Sequence, residues 1–329
     1  MKFRLIAAAF LTIAAMTLAG CSAGAAGGGK SEQAGPFIGF SVPAVDDYYG
    51  VVRDSFVKDA KAAGIKYVEG NGDNGADPTQ QISKIETMLA QGINVLVVAN
   101  SQPAVVPVLD RALSLGVKVI FIDQAVPDSD WGKQSTFIAT DNPAASQKMG
   151  DYLAGKLKAG DHVGIMIGVP GIPLLLDRYQ NFEKTLEAKG IKVTLTSEAD
   201  GCQLDTAIPV ARNFIVANPD LKAIYSTCGP TGLAVNQVLQ EQGNHALSVT
   251  FDVPVQEIKD ILDKKSDAAV AQFPAKLAQN AITYSLKVFK GESVPKYVDN
   301  GTEIVTIDNA DTFFHDGSTG YSYKVKGTN

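Results

Sequence analysis

The chain has 329 residues, of which 45% are hydrophobic and 19% are charged, and its formal net charge is −6. This length exceeds the size at which a single hydrophobic core usually stops growing, so we predict a soluble globular protein with two lobes. The acidic balance argues against nucleic acid as a partner, because binding to a phosphate backbone requires basic patches.

The first 20 residues have the pattern of a bacterial export signal. Two basic residues precede an apolar run at residues 5–18 that is short for a membrane span. Residues 18–21 read Leu-Ala-Gly-Cys, which resembles a lipobox and implies cleavage before Cys21 and lipid attachment to it. We therefore predict a lipoprotein in the periplasm or on the outer face of the cytoplasmic membrane. A plain signal peptide followed by a chance cysteine is the alternative.

After a Gly/Ala/Ser-rich stretch, short apolar runs rich in β-branched residues alternate with segments of helical periodicity. The clearest run is Val117–Ile122, which stops at Asp123 and Gln124 and predicts a buried parallel strand. Repeated strand–helix units require right-handed crossovers and a parallel sheet covered by helices on both faces. We therefore predict an α/β fold of two doubly wound parallel-sheet lobes joined by a multi-strand hinge.

A second strand–helix series begins near residue 141, and the elements after residue 272 are too few to form a domain. We expect these last elements to cross back between the lobes and complete each sheet. The predicted boundaries are a signal peptide at 1–20, a flexible tether at 21–35, an N-terminal lobe at 36–140 plus 273–300, and a C-terminal lobe at 141–272 plus 301–329.

The predicted strand ends point to a binding cleft. In open α/β sheets ligands bind outside the carboxyl ends of the strands, where we expect Asp123 and Asp252. Capping of the following helices is the alternative role for both. The histidines His162, His245 and His315 are dispersed, and no nucleophile–base pair, metal-ligand spacing or Gly-rich phosphate loop is visible in the sequence. We therefore predict no enzyme, no cofactor and no metal.

Cys202 and Cys228 are the cysteines that remain besides Cys21. An exported chain reaches an oxidising compartment, and both residues follow predicted strands of the same lobe, so a disulfide between them is geometrically plausible. Free thiols are equally compatible with the sequence, because it does not supply the Cα separation that a bridge requires.

Several segments, taken in order, resemble type I periplasmic sugar-binding proteins of ABC transporters, the ribose-binding group in particular. The resemblance spans residues 36–306, and its markers are Ser41 with Asp46, Tyr48-Tyr49, Asp77 to Gln81, Ile122-Asp123, Asp141-Asn142, Phe251-Asp252 and Gln272-Phe273-Pro274. It implies a monomer whose two lobes close on a sugar or small polyol. The ligand then passes to a membrane permease driven by a separate ATPase.

The resemblance also implies ligand contacts in the cleft. Asp123 and Asp252 match carboxylates that accept hydrogen bonds from sugar hydroxyls, and such charge-assisted bonds contribute roughly 1.5–3 kcal/mol each. Gln272 matches a hinge-side amide. Tyr48 and Tyr49 match an aromatic pair that packs on the C–H face of the sugar.

Several ligand positions depart from the ribose-binding pattern. Asp46 stands where the family often has asparagine, Gln124 and Leu176 stand at arginine positions, Cys228 stands at an asparagine position, and the family's cleft phenylalanine falls near Gly201 or Cys202. A cleft with fewer cationic donors and a more apolar second-lobe wall, at residues 172–176, favours a small polyol or a deoxygenated or uncommon sugar over ribose. A nucleoside or aromatic ligand is one alternative, and a role as ligand-dependent partner of a chemoreceptor or sensor is another.

Three other residues are interpreted structurally. We expect Trp131 on an exposed loop and Asp141 as a helix cap at the hinge without ligand contact. For Arg178, a surface position is as compatible with the sequence as any other.

Overall fold

The computed structural model describes residues 35–73, 75, 77–196 and 199–313. The predicted signal peptide, the lipidation site Cys21 and the tether up to residue 34 lie outside the described residues, as does the end of the predicted C-terminal lobe, 314–329. Within the described part of the chain, no helix has both the length and the apolar character that a membrane crossing requires.

Strands in the described residues form two separate six-stranded sheets. The strands are β1 Phe37–Ser41, β2 Lys66–Glu69, β3 Val95–Val98, β4 Lys118–Ile122, β5 Thr136–Ala139, β6 His162–Met166, β7 Lys192–Leu195, β8 Leu221–Ser226, β9 Leu247–Phe251, β10 Ala268–Ala271, β11 Tyr297–Asp299 and β12 Glu303–Thr306. The first sheet has the order β11-β5-β4-β3-β1-β2 and the second the order β12-β10-β9-β8-β6-β7. Neighbouring strands run parallel, except that β12 is antiparallel to β10.

The strands are connected by helices that begin and end at well-defined residues. The helices are α1 Asp47–Ala62, α2 Thr79–Ala90, α3 Val106–Ser114, α4 Asp128–Trp131, α5 Asn142–Ala154, α6 Pro173–Glu187, α7 Leu204–Ala217, α8 Gly229–Gln242, α9 Val255–Leu262 and α10 Pro274–Phe289, with 3-10 turns at Pro103–Val105 and Ala310–Thr312. Several begin with a side-chain cap or a proline in the first turn, both of which suit a helix N-terminus.

Helices cover both faces of each sheet. In β3, Val95 and Val97 pack in a core with α1 and α10, whereas Leu96 and Val98 face a core with α2 and α3. Successive strand side chains point to opposite faces, so a strand that is buried on both faces is apolar throughout. The second sheet is sandwiched likewise, with α5 and α6 on one face and α7 and α8 on the other. The predicted α/β fold of two doubly wound lobes is confirmed.

The two sheets have the same strand order, with each strand of the first matched by one of the second, and they differ in the direction of the outer strand, parallel for β11 and antiparallel for β12. Their outer strands β11 and β12 both come from the last part of the described chain. Because β11 joins the first sheet and β12 the second, the chain passes between the lobes again after β10.

The expectation of an exposed Trp131 is wrong. Its side chain is buried, with its ring edge-on to Phe121 at 5.8 Å between centroids. The indole nitrogen donates a hydrogen bond to Asp110 at 2.9 Å. The short helix α4 turns the indole onto the sheet, where the apolar ring is removed from water and its one donor is satisfied.

Candidate ligand-binding cleft

Asp123 and Asp252 lie directly after β4 and β9, at matching places in the two sheets. Both have positive φ, 60° for Asp123 and 75° for Asp252. Each donates its backbone N–H to the next strand of its sheet, Asp123 to Ile138 at 2.8 Å and Asp252 to Val270 at 2.9 Å. Aspartate tolerates this left-handed conformation better than most residues. The two side chains therefore leave equivalent strand ends, and the charges of both raise the pKa values of Asp46 and Tyr48.

In the first lobe, hydrogen bonds link Asp123 to three neighbouring side chains. The Tyr49 hydroxyl donates to Asp123 Oδ2 at 2.5 Å, and Gln124 Nε2 donates to the Tyr49 oxygen at 2.9 Å. Ser101 Oγ donates to Gln124 Oε1 at 3.2 Å. The chain Ser101–Gln124–Tyr49–Asp123 fixes the orientation of the carboxylate before any ligand arrives.

Asp46 positions the aromatic pair through the start of α1. Its Oδ1 accepts a hydrogen bond from the Tyr49 backbone N–H at 2.7 Å, which is the side-chain cap of the helix. Tyr48 meets Tyr49 edge-on, with 5.3 Å between ring centroids. Tyr48 also hydrogen-bonds with Asp123 and packs against the core cluster of the second lobe that contains Val253. A first-lobe aromatic ring thus contacts both lobes.

In the second lobe, Asp252 has two polar partners. Gln272 Nε2 donates to Asp252 Oδ1 at 2.5 Å, and Arg178 Nη1 lies 3.6 Å from Asp252 Oδ2. The guanidinium stacks over the Phe251 ring, 3.7 Å from its centroid. Gln272 Oε1 is buried with no hydrogen-bond partner among the described residues.

Arg178 is a buried residue behind the cleft wall, in contact with the lining residue Asn142, and the surface interpretation of it is wrong. It is 3% exposed, and it donates from Nε to Asn142 Oδ1 and from Nη1 to the Thr227 carbonyl, both at 2.9 Å. A signal for this was present in the sequence, because Arg178 falls on the buried stripe of α6 with Leu175 and Phe182.

A cavity of about 300 Å³ lies between the lobes, beside these polar groups. Its lining residues are Ser101, Asp123, Gln124, Ala125, Phe137, Thr140, Asp141, Asn142, Pro143, Pro173, Leu174, Asp177 and Tyr297. Of the residues predicted to contact ligand, Asp123 and Gln124 line it. Leu174 lines the cavity from the second lobe, whereas Leu176, which the resemblance places at a ligand position, is half-buried two residues further along α6 and is not among the lining residues. Asp141 caps α5, as expected, and it also lines the cavity.

The pKa values of two carboxyl groups at the cleft, Asp123 and Asp46, are raised above that of a carboxyl group in water. Burial is the main cause of the raised pKa of Asp123; the Tyr49 hydrogen bond and the charge of Arg178 oppose it, and the charge of Asp252 adds to it. The pKa of Asp46 is raised to about 6, chiefly by the protein atoms that surround its carboxyl group, although part of the residue is exposed to solvent. Burial and, after it, the neighbouring carboxylates make the charged forms of these two groups costly.

Cys202 and Cys228 form a disulfide with their Cα atoms 6.0 Å apart. Cys228, expected at a ligand position, is buried and its sulfur is bonded to Cys202, so it presents no thiol to the cleft. Asp200 lies beside the bridge and accepts hydrogen bonds from Thr231 Oγ1 and the Cys202 N–H, each at 2.8 Å. Among the described residues, Asp200, Cys202 and Cys228 have the close spacing that a metal site requires. The two sulfur atoms are bonded to each other, so neither is a thiolate that could bind a metal ion.

The fold and the cleft define a two-lobed binding protein of the type I periplasmic class. Residues 38–293 match the family described as periplasmic binding protein domain, and the chain belongs to this family, which is one of binding proteins and not of enzymes.

Individual relatives agree with this assignment. The ribose import binding protein of Bacillus subtilis is 26% identical over 271 residues, which cover 82% of this chain and 87% of the relative. The D-ribose/D-allose-binding protein of Pseudomonas aeruginosa is 30% identical over 232 residues, with coverage of 68% and 72%. A solved ABC transporter solute-binding protein of Mycobacterium smegmatis, with bound glycerol, has a TM-score of 0.80 and 26% identity, and the match covers 88% of this chain and 99% of that one.

Proposed function

We propose that the protein is the extracytoplasmic solute-binding component of an ABC importer and that it binds a sugar or small polyol between its lobes. The single observation that carries this proposal is the pair Asp123 and Asp252, which leave equivalent strand ends of the two sheets toward one cleft. Carboxylates accept hydrogen bonds from adjacent hydroxyls, and the tyrosine pair supplies an apolar face. The relatives named for ribose or allose binding support the carbohydrate class.

The same geometry explains how binding drives closure. Contacts from Asp123 and Gln124 in one lobe and from Asp252 and Gln272 in the other act on one ligand together when the lobes are closed. A ligand that binds the closed form more tightly shifts the population toward it. The contact of Tyr48 with the second lobe adds to the stability of this form. The permease then recognises the closed protein and receives the ligand.

Attachment to the membrane is a separate part of the proposal. The lipobox-like residues 18–21 support cleavage before Cys21, lipid attachment and a flexible tether. After cleavage, 27 basic and 35 acidic residues remain, a formal charge of −8. We expect the wild-type chain, expressed in a bacterial host, to fractionate with membranes and to incorporate radiolabelled palmitate. A Cys21→Ala chain that incorporates as much label would contradict lipidation at this residue.

Calorimetric titration tests the ligand class. We would titrate the full chain with pentoses, hexoses, pentitols, tetritols and nucleosides, beside Asp123→Asn, Asp252→Asn and the exposed control Asp308→Asn. One-to-one binding of a carbohydrate, lost by at least about tenfold in both cleft variants and kept in the control, is the expected result. Binding of nucleosides alone would contradict the carbohydrate class. Nucleosides are the second candidate ligand, which the apolar wall of Phe137, Leu174 and Tyr297 favours.

A further inference from the structure

We propose that the ligand of this cleft carries a positive charge, as an amine-substituted sugar or polyol does. The proposal rests on the carbohydrate-binding function proposed above and specifies its substrate class. It starts from the charge of the cavity between the lobes. Asp123, Asp141 and Asp177 all line this cavity, and its other lining residues are neutral.

The protein does not neutralise these three carboxylates. None of them forms an ion pair with a lysine, arginine or histidine of the described residues. The nearby cation, Arg178, is directed to Asp252, Asn142 and the Thr227 carbonyl. Its charge therefore compensates Asp252 first and leaves the cavity itself negative.

Asp141 and Asp177 form the most suitable place for an ammonium group. Both line the same cavity, and the charge of Asp141, second to partial burial, raises the pKa of Asp177. Asp141 Oδ1 accepts the capping hydrogen bond from Ala144, which leaves its other oxygen for a ligand. An ammonium group between the two would relieve the repulsion and donate to both.

The cation expected here is organic and not a metal ion. Metal ions require ligand atoms that converge closely, and in the described residues such convergence is found at Asp200 with the disulfide sulfurs, not among the cavity carboxylates. An organic cation of the size of a sugar can contact carboxylates that lie further apart than metal ligands do.

Other lining groups suit the rest of such a molecule. Gln124 and Ser101 line the cavity near Asp123 and hydrogen-bond to each other at 3.2 Å, and both carry groups that can pair with ligand hydroxyls. The hydroxyl oxygen of Thr140, a residue that is 4% exposed, is buried without a hydrogen-bond partner in the described residues. This unpartnered group independently indicates a polar ligand, because a buried hydroxyl is costly to leave unsatisfied.

Calorimetry with matched pairs tests the charge. The full chain is titrated at neutral pH with glucose and glucosamine, galactose and galactosamine, mannose and mannosamine, and glucitol and 1-amino-1-deoxyglucitol, with the N-acetylated amino sugars as uncharged controls. We expect the amine of at least one pair to bind at least about tenfold more tightly than its hydroxyl and acetamide counterparts.

Substitutions then locate the preference. Asp177→Asn and Asp141→Asn keep side-chain shape, and asparagine can still cap α5. Each should reduce the amine-to-hydroxyl affinity ratio by about threefold or more, whereas Asp308→Asn should keep it. The ratio is taken within one variant, so a partly unfolded preparation does not change it.

The outcomes separate this inference from the function on which it rests. A hydroxyl parent that binds as tightly as its amine overturns the positive charge and leaves the carbohydrate function intact. A ratio that survives both cavity substitutions also overturns the inference, because the preference would then originate elsewhere. Failure of every carbohydrate, charged or neutral, overturns the proposed function and the inference with it.

Discussion

Arg178 lies between the aromatic ring and the carboxylate that end β9: its guanidinium is 3.7 Å from the Phe251 centroid and its Nη1 is 3.6 Å from Asp252 Oδ2. Both charged side chains are buried. Removing one member of such a pair leaves the other charge buried without compensation. This arrangement makes Arg178 a structural support of the cleft as much as an electrostatic one.

Replacement of Arg178 by methionine should therefore lower the free energy of unfolding by about 3–5 kcal/mol, as measured by urea denaturation. Arg178→Lys should recover only part of this loss, because an ammonium cannot stack on Phe251 and donate to both Asn142 and Thr227. The matched control is Arg212→Met, which removes an exposed pair with Glu241. An unfolding free energy for Arg178→Met within about 0.5 kcal/mol of wild type would contradict the prediction.

Tyr49→Phe removes the hydroxyl that donates to Asp123 and accepts from Gln124. Because this hydrogen bond lowers the pKa of Asp123, its loss should raise that pKa further, which a carbon-13 NMR titration of the carboxyl group can follow. The buried carboxylate keeps its hydrogen bond with Tyr48 but loses the one from Tyr49, which should cost about 1–3 kcal/mol in unfolding free energy. Tyr67→Phe, on the same lobe, is the control. An unchanged pKa of Asp123 in Tyr49→Phe would contradict the prediction.

The disulfide should stabilise the second lobe. The bridge joins residues 26 apart in sequence, and reduction, or the double change Cys202→Ser with Cys228→Ser, should lower the free energy of unfolding by about 2–4 kcal/mol. Thr227, which precedes Cys228, accepts the Arg178 hydrogen bond, so ligand affinity should fall as well. Dithiothreitol should have no effect on the double variant. Equal stability of the oxidised and reduced wild-type chain is the result that would refute this.

A buried acid in the second lobe predicts pH-dependent stability. Burial is the main cause that raises the pKa of Glu257 to about 8, and Ser266 and Asn236 hydrogen-bond to its carboxyl group. Between the ordinary value of 4.5 and about 8 the folded chain keeps a proton that the unfolded chain releases. The contribution to stability is therefore full below the ordinary value and is lost as pH rises toward and through 8.

Thermal and urea unfolding across this range measure the effect. The free energy of unfolding should fall with rising pH by up to about 1.4 kcal/mol per unit from this residue. Glu257→Gln should flatten the curve, since glutamine does not titrate, whereas the exposed control Glu292→Gln should retain the slope. Parallel curves for wild type and Glu257→Gln would show that Glu257 is not responsible.

Local sequence patterns predicted most of the fold. The run Val117–Ile122 ending at Asp123 predicted a buried strand with a polar end, because a strand covered on both faces must be apolar throughout. The equivalent placement of Asp252 followed from the same rule. The resemblance assigned a ligand position to Leu176, whereas Leu174 lines the cavity, and no local pattern in the sequence distinguishes the two.

Long-range contacts account for what the sequence did not reveal. Arg178 acquires its role from Asn142 and Thr227, which are 36 and 49 residues away in the chain. Trp131 is buried because Asp110, 21 residues earlier, accepts its N–H. Neither set of contacts is indicated by the local composition, so the contacts cannot be identified from a single sequence. The ligand roles of the cleft residues remain predictions for the experiments above.

The late strands β11 and β12 have a consequence for the gene as well as for the protein. A nonsense codon shortly after residue 272 would remove α10 and the outer strand of both sheets at once. It would uncover the edges of β5 and β10, and unpaired strand edges promote aggregation. Neither half of the coding sequence specifies an intact lobe, so cutting the gene in the middle cannot yield two working modules. A functional split would have to keep the last 60 or so codons available to both fragments.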